Sequence, residues 1–142
     1  MGIKFTSFSI RGIDVSQYNG TIDWTKVNCH FAAVRIGYGR SLDSKFARNW
    51  AGAKGKVNRL AYWYMDYYSN HNASSTVNGM SDEDWGKSQA NTCWNAIKND
   101  FEGMVFLDIE SASAAVAATI TTVADRAQVI AKSFLQEMDR LS

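Results

Sequence analysis

The chain has 142 residues, of which 15 are lysine or arginine and 14 are aspartate or glutamate, so its net charge is +1. Its length suits one domain, and 46% hydrophobic residues provide enough apolar material for a core. A near-neutral charge without a basic run argues against nucleic-acid binding, and no apolar run reaches the roughly 18 residues that a membrane span requires.

Short apolar segments alternate with helix-like segments, a pattern typical of parallel β/α units. Gly103–Ile109 is the most apolar of these segments, so we expect it to be a strand buried on both faces. In chain order, the sequence predicts a strand at Ser9–Val15, a short helix at Asp23–Cys29, a strand at Phe31–Tyr38, a helix at Lys45–Lys56, a strand at Leu60–Met65, a helix at Ser81–Asn99, a strand at Gly103–Ile109 and a helix at Thr121–Leu141.

The helix predicted at Ser81–Asn99 has a clear start signal. Ser81 can accept a hydrogen bond from a backbone N–H of the first turn, as an N-cap residue does. The next three residues, Asp82, Glu83 and Asp84, place negative charge where the helix dipole favours it.

Three acidic residues, Asp14, Asp108 and Glu110, fall at the ends of predicted strands. Side chains alternate along a strand, so Asp108 and Glu110 point to the same side. The carboxyl ends of parallel strands share one edge, where such folds place their active sites, so all three acids should converge there. Mutual repulsion should then raise the pKa of at least one of them, as a general acid requires. A single aspartate at the end of a strand, such as Asp14, is more often a turn former than a catalytic residue. Two acids at the end of an apolar strand are harder to explain by structure alone, so the pair favours a functional role.

Aromatic residues are predicted around the same edge, and they could stack on sugar rings. They are Tyr38, Tyr62, Trp63 and Tyr64, although Trp63 and one of the tyrosines are better explained as core residues, since aromatic residues are common in strands. Carboxylates with aromatic neighbours favour glycoside hydrolysis. Neither a metal nor another cofactor is expected, because the histidines and cysteines are isolated and no phosphate-binding glycine loop is present.

A series of motifs runs along the chain in a fixed order: GIDVS at 12–16, FAAVRIGYG at 31–39, AYWYM at 61–65, Gln89–Ala90 and LDIE at 107–110. In order and spacing, this series resembles the family 25 glycoside hydrolases, the Chalaropsis-type lysozymes. The resemblance covers roughly residues 10–135. It implies an α/β fold, a parallel (β/α) barrel of the family 25 lysozyme type, of which this sequence has the first four β/α units, a half-barrel.

The resemblance also implies a function. Family 25 enzymes are muramidases that cleave the β-1,4 bond between N-acetylmuramic acid and N-acetylglucosamine in bacterial peptidoglycan, and phages often encode them as endolysins. Either water or the acetamido group of the substrate could attack. By motif position, Glu110 matches the general acid, Asp108 its neighbouring carboxylate and Asp14 the acid of the first strand, while Tyr62, Tyr64, Tyr38 and Arg35 are expected to bind substrate.

Residues 1–142 are expected to form one catalytic-type domain that lacks the later barrel strands, with about residues 1–9 as an N-terminal extension. A half-barrel has two open strand edges, so a second chain or self-association is predicted to complete it. No secretory signal is recognised, so we expect synthesis in the cytoplasm, that of the host if a phage encodes the protein, and action on the cell wall. The alternatives are a non-catalytic peptidoglycan-binding or virion structural module and, less favoured, an unrelated small α/β domain.

Overall fold

The computed structural model describes residues 10–67, 79–110 and 123–142. The strands are β1 (Gly12–Val15), β2 (Phe31–Tyr38), β3 (Ser41–Leu42), β4 (Asn58–Tyr64) and β5 (Val105–Asp108), and the helices are α1 (Phe46–Ala53), α2 (Asp82–Ile97) and α3 (Val123–Leu141). Four parallel strands form a sheet in the order β1-β2-β4-β5, and β3 pairs antiparallel with β2. The predicted α/β class and its parallel strands are confirmed.

One face of the sheet is covered by helices. The buried residues of β2 are Ala32, Val34, Ile36 and Gly37, while Phe31, Ala33 and Arg35 are only partly buried. The indole of Trp63 on β4 is fully buried and stacks on Phe134 of α3, with ring centroids 6.4 Å apart. The core therefore lies between the sheet and the helices, and within the described ranges the other face of the sheet lines open clefts.

The prediction that Gly103–Ile109 is buried on both faces is wrong. No residue of β5 is fully buried, and Phe106 is 44% exposed. Leu107 packs against the core, but Phe106 lies on the opposite face, beside the clefts. The segment is apolar because one of its faces packs against the core. Its other face is an apolar surface that no helix in the described ranges covers.

Strand β2 contains an irregularity that affects the open face. Its register with β4 shifts between Arg35 and Gly37, which pair with Tyr62 and Trp63 respectively. A bulge adds one residue to a strand, so the side chains beyond it lie on the opposite face from the one that simple alternation gives. Tyr38 therefore lies on the open face together with Arg35. Without the bulge, two residues three positions apart would face opposite sides of the sheet.

The short helix predicted at Asp23–Cys29 is wrong, because this segment forms a turn. The Asp23 carboxylate accepts hydrogen bonds from the Thr25 backbone N–H at 3.1 Å and from the Thr25 hydroxyl at 2.6 Å. Such local bonds compete with helix formation. A one-turn 3-10 helix stands earlier instead, at Gln17–Asn19.

The predicted start of α2 is confirmed, since the Ser81 hydroxyl oxygen accepts a hydrogen bond from the Asp84 backbone N–H at 3.0 Å. Residue 9 of the first predicted strand and residues 121–122 of the last predicted helix lie outside the described residues. None of the helices in the described ranges has the length and apolarity to cross a membrane.

Candidate active site

The three acids predicted from the sequence lie around one cleft. Asp14 is the third residue of β1, Asp108 ends β5, and Glu110 follows two residues later. All three line a cleft of about 460 Å³ that also contains Phe106 and Tyr62. The parallel sheet brings these distant positions together because its strands end at the same edge.

The environment of Asp108 raises its pKa. Partial burial is the largest cause, and the negative charges of Glu110 and Asp14 act in the same direction. The positive charge of Arg35 opposes them. A raised pKa in a crowded acidic group is the effect expected from the sequence, and the structure places it on Asp108.

Two tyrosines hold Glu110. The Tyr67 hydroxyl donates a hydrogen bond to the backbone carbonyl oxygen of Glu110 at 2.6 Å. The Tyr64 hydroxyl is 3.4 Å from the Oε2 atom of the Glu110 side chain, to which it donates. These two bonds fix the chain after β5 so that the Glu110 carboxylate faces the cleft. Glu110 itself is exposed.

A second cleft, of about 590 Å³, adjoins the first and shares Tyr62, Asp108 and Glu110 with it. It contains every predicted substrate-binding residue. Burial raises the pKa of Tyr62 to about 12, so its hydroxyl stays protonated at neutral pH. Tyr38 and Tyr64 form an aromatic pair across β2 and β4, with ring centroids 5.0 Å apart.

Arg35 lies on the floor of this second cleft and is paired with Asp43. The Arg35 Nε atom donates to Asp43 Oδ2 at 2.8 Å, and the Asp43 side chain has no exposed surface. The guanidinium group also lies 5.1 Å from the ring centroid of Tyr18. Arg35 is therefore a fixed positive charge in a cleft whose other charged groups are carboxylates.

Sequence reasoning missed Tyr18, Asp43 and Tyr67. Asp43 is close to Arg35 because β2 and β3 form a hairpin, and Tyr67 contacts Glu110 across 43 positions of sequence. No single-sequence pattern signals such contacts. Tyr18 lies two positions after the Gly12–Ser16 motif, and this proximity could have identified it as a candidate.

No metal centre is found among the described residues, since no three or more of their histidine, cysteine, aspartate and glutamate side chains are placed to hold an ion. An acid held by tyrosines can transfer a proton to a sugar bound along the aromatic wall, beside a second, partly buried acid whose pKa is raised.

No protein-family model matches the sequence, and no curated protein matches it. Solved structures do match. A family 25 glycosyl hydrolase from Bacillus anthracis superposes with a TM-score of 0.64 at 21% identity, over 96% of this chain and 60% of that chain. A muramidase from Trichobolus zukalii gives a TM-score of 0.67 at 18% identity, over 94% and 61% of the two chains.

A third match is the modular autolysin LytC from Streptococcus pneumoniae, solved in complex with a synthetic peptidoglycan ligand. Its TM-score is 0.65 at 19% identity, over 91% of this chain and 29% of that chain. The chain therefore has the fold of the family 25 lysozymes, as its motifs predicted, and a partial barrel is compatible with the matches. It spans about 60% of the length of the Bacillus and Trichobolus proteins.

Proposed function

We propose that this protein is a peptidoglycan hydrolase of the lysozyme type. The observation that carries the proposal is the convergence of Asp14, Asp108 and Glu110 in one cleft beside Tyr62 and Tyr64. The fold supports it, because the matching structures include a muramidase and an autolysin solved with a peptidoglycan ligand. The specific bond proposed is the β-1,4 linkage from N-acetylmuramic acid to N-acetylglucosamine.

In the proposed mechanism Glu110 is the general acid. Its carboxyl group gives a proton to the glycosidic oxygen as the bond from that oxygen to the anomeric carbon breaks. The carboxylates of Asp108 and Asp14 stabilise the positive charge that develops on the sugar ring. Either water or the acetamido group of the substrate attacks the anomeric carbon, and Glu110 recovers its proton when water completes the hydrolysis.

Substrate binding is assigned to the wider cleft. Tyr62, Tyr64 and Tyr38 form the wall on which sugar rings stack, and the protonated Tyr62 hydroxyl can donate a hydrogen bond to a sugar oxygen. Arg35 supplies further donors from the floor. The positions of these side chains around the carboxylates support the proposed roles.

The proposal is tested by Glu110→Gln, with Glu83→Gln on the exposed surface of α2 as the matched control. General acid catalysis typically contributes about 10² to 10⁴ in rate, so Glu110→Gln should reduce cell-wall turbidity loss by at least about 100-fold. Its melting temperature should stay close to that of the parent, because Glu110 is exposed. Full activity in Glu110→Gln would remove this residue from the role.

A second candidate function is a non-catalytic peptidoglycan-binding or virion structural module. It is favoured by the open face of the sheet, where Phe106 is 44% exposed. The two functions differ in product. Release of new reducing ends at muramic acid supports the hydrolase, whereas retention on sacculi without reducing ends supports the binding module.

We also propose that residues 1–142 act as one domain whose sheet is completed by a second chain or a second copy. The strands at the two edges of the described sheet are β1 and β5, and an open edge strand can pair with another chain. Light scattering after size-exclusion chromatography tests the part of this proposal that concerns a second chain or a second copy. A cooperative monomer with full activity would contradict that part. The endolysin assignment remains a prediction, which lysis genes next to the coding sequence would support.

A further inference from the structure

Tyr18 is an exposed aromatic residue at the rim of the wider cleft. It lies in the 3-10 turn Gln17–Asn19 that follows β1, and 80% of its surface is accessible to solvent. The same cleft extends from Tyr18 to Asp108 and Glu110. Tyrosine is enriched at binding interfaces because its ring packs on apolar groups while its hydroxyl stays in water.

The turn that carries Tyr18 is fixed by several hydrogen bonds. The Ser16 backbone N–H donates to the Asn19 side chain at 2.7 Å, and the Ser16 hydroxyl oxygen accepts from the Tyr18 backbone N–H at 3.3 Å. The Gln17 backbone N–H donates to the buried carboxylate of Asp43 at 2.9 Å. The backbone of Tyr18 is therefore held in place, so that only its side chain has to be ordered when a ligand binds.

The ring of Tyr18 is also supported from below. The Arg35 guanidinium lies 5.1 Å from the ring centroid, within the range of a cation–π interaction. Arg35 in turn is held by Asp43. One face of the ring is thus backed by a fixed cation, and the exposed fraction of the residue leaves the other face free to receive a ligand.

We propose that Tyr18 is a stacking platform for a sugar ring away from the acids, so that the cleft binds a further saccharide unit beyond the two that the cleaved bond joins. This inference rests on the proposed function, and it assigns the ligand as a pyranose with an apolar face of C–H groups. Such a face packs on an aromatic ring, while its hydroxyl groups stay in water. Tyr38, which lines the cleft with Tyr18, extends the same wall towards the acids.

The test measures binding in a Glu110→Gln background, which prevents turnover. The probes are glycan strands of alternating N-acetylglucosamine and N-acetylmuramic acid, two to six units long and free of peptide, titrated by calorimetry. Tyr18→Ala and Tyr18→Leu should weaken binding of the longer strands by about tenfold and of the disaccharide much less. Tyr18→Phe should stay within about twofold of the parent, because it keeps the ring.

Leu135→Ala on α3 is the control, since Leu135 is similarly an exposed apolar residue but lies outside the cleft. In the active protein, Tyr18→Ala should raise KM about tenfold with kcat nearly unchanged. Equal affinity of Tyr18→Ala and the parent for every strand length would overturn the platform and leave the proposed function standing. Failure of the parent to bind any strand would overturn both.

Discussion

Arg35 and Asp43 form an ion pair beneath the wider cleft, with 2.8 Å between Nε and Oδ2. The two residues meet because β3 folds back along β2, and the backbone N–H of Asp43 donates to the carbonyl oxygen of Ile36 at 2.9 Å. Asp43 also accepts hydrogen bonds from the backbone N–H groups of Gln17 and Lys45, each at 2.9 Å. One carboxylate therefore joins the 3-10 turn, the second strand and the start of α1.

Asp43→Ala should lower the free energy of unfolding by about 2 to 4 kcal/mol, because it leaves a largely buried guanidinium and two backbone N–H groups without their acceptor. Denaturant unfolding followed by tryptophan fluorescence measures this loss. Asp139→Ala, at an exposed position of α3, should change the same quantity by less than about 0.5 kcal/mol. Similar stabilities for the two variants would contradict the linking role of Asp43.

Asp108→Asn should make the fold more stable at neutral pH while abolishing the proposed activity. The pKa of Asp108 is raised in the folded protein, so the folded state holds this proton more strongly than the unfolded state does. The free energy of unfolding therefore falls as pH rises through the raised pKa, and the neutral asparagine avoids that loss.

Melting curves from pH 3 to pH 8 measure this difference. We expect Asp108→Asn to melt above the parent at pH 7, with the two curves converging below the ordinary aspartate pKa of about 4. A variant that melts below the parent at pH 7 would show that Asp108 stabilises the fold as a carboxylate.

Gly86→Ala should destabilise the protein, although alanine is the better helix former by about 1 kcal/mol. Gly86 is a buried residue of α2, and a Cβ atom there would clash with the carbonyl oxygen of Ile130 and lie 2.9 Å from Cβ of Ser133, both on α3. The helices must move apart to admit it, at a cost of about 1 to 3 kcal/mol.

Thermal unfolding distinguishes this packing effect from helix propensity. Asn95→Ala, at an exposed position of the same helix, should show the ordinary gain or no change. If Gly86→Ala is as stable as the parent, the close approach of α2 and α3 does not constrain the fold.

The sequence predicted the elements whose signals are local. The strand predicted at Phe31–Tyr38 has the same bounds as β2, because the alternation of its residues and the glycine that follows it define its ends. Ser81 caps α2, as its acidic neighbours indicated. The convergence of the acids was predictable because it depends only on parallel strands ending at one edge.

Other features depend on contacts between distant segments, which one sequence does not encode locally. The bulge after Arg35 decides the face on which Tyr38 lies, and the hairpin decides the partner of Arg35. The exposure of Phe106 depends on what covers the sheet, whereas an apolar strand looks the same in sequence whether one or both faces are covered.

Tyr67→Phe should slow the proposed reaction without unfolding the protein. The Tyr67 hydroxyl donates to the Glu110 backbone carbonyl at 2.6 Å, so it positions the segment that carries the proposed general acid. Its removal should lower kcat about tenfold with KM nearly unchanged, because a small displacement of a catalytic group impairs the transition state more than ground-state binding.

Tyr64→Phe provides the comparison, because its 3.4 Å bond reaches the Glu110 side chain and its ring belongs to the cleft wall. That variant keeps the ring and the bond that Tyr67 makes to the Glu110 backbone, so we expect a smaller fall in kcat than in Tyr67→Phe. Turnover of purified cell walls by the two variants measures this difference. An unchanged kcat in Tyr67→Phe would show that Glu110 is positioned by the sheet alone.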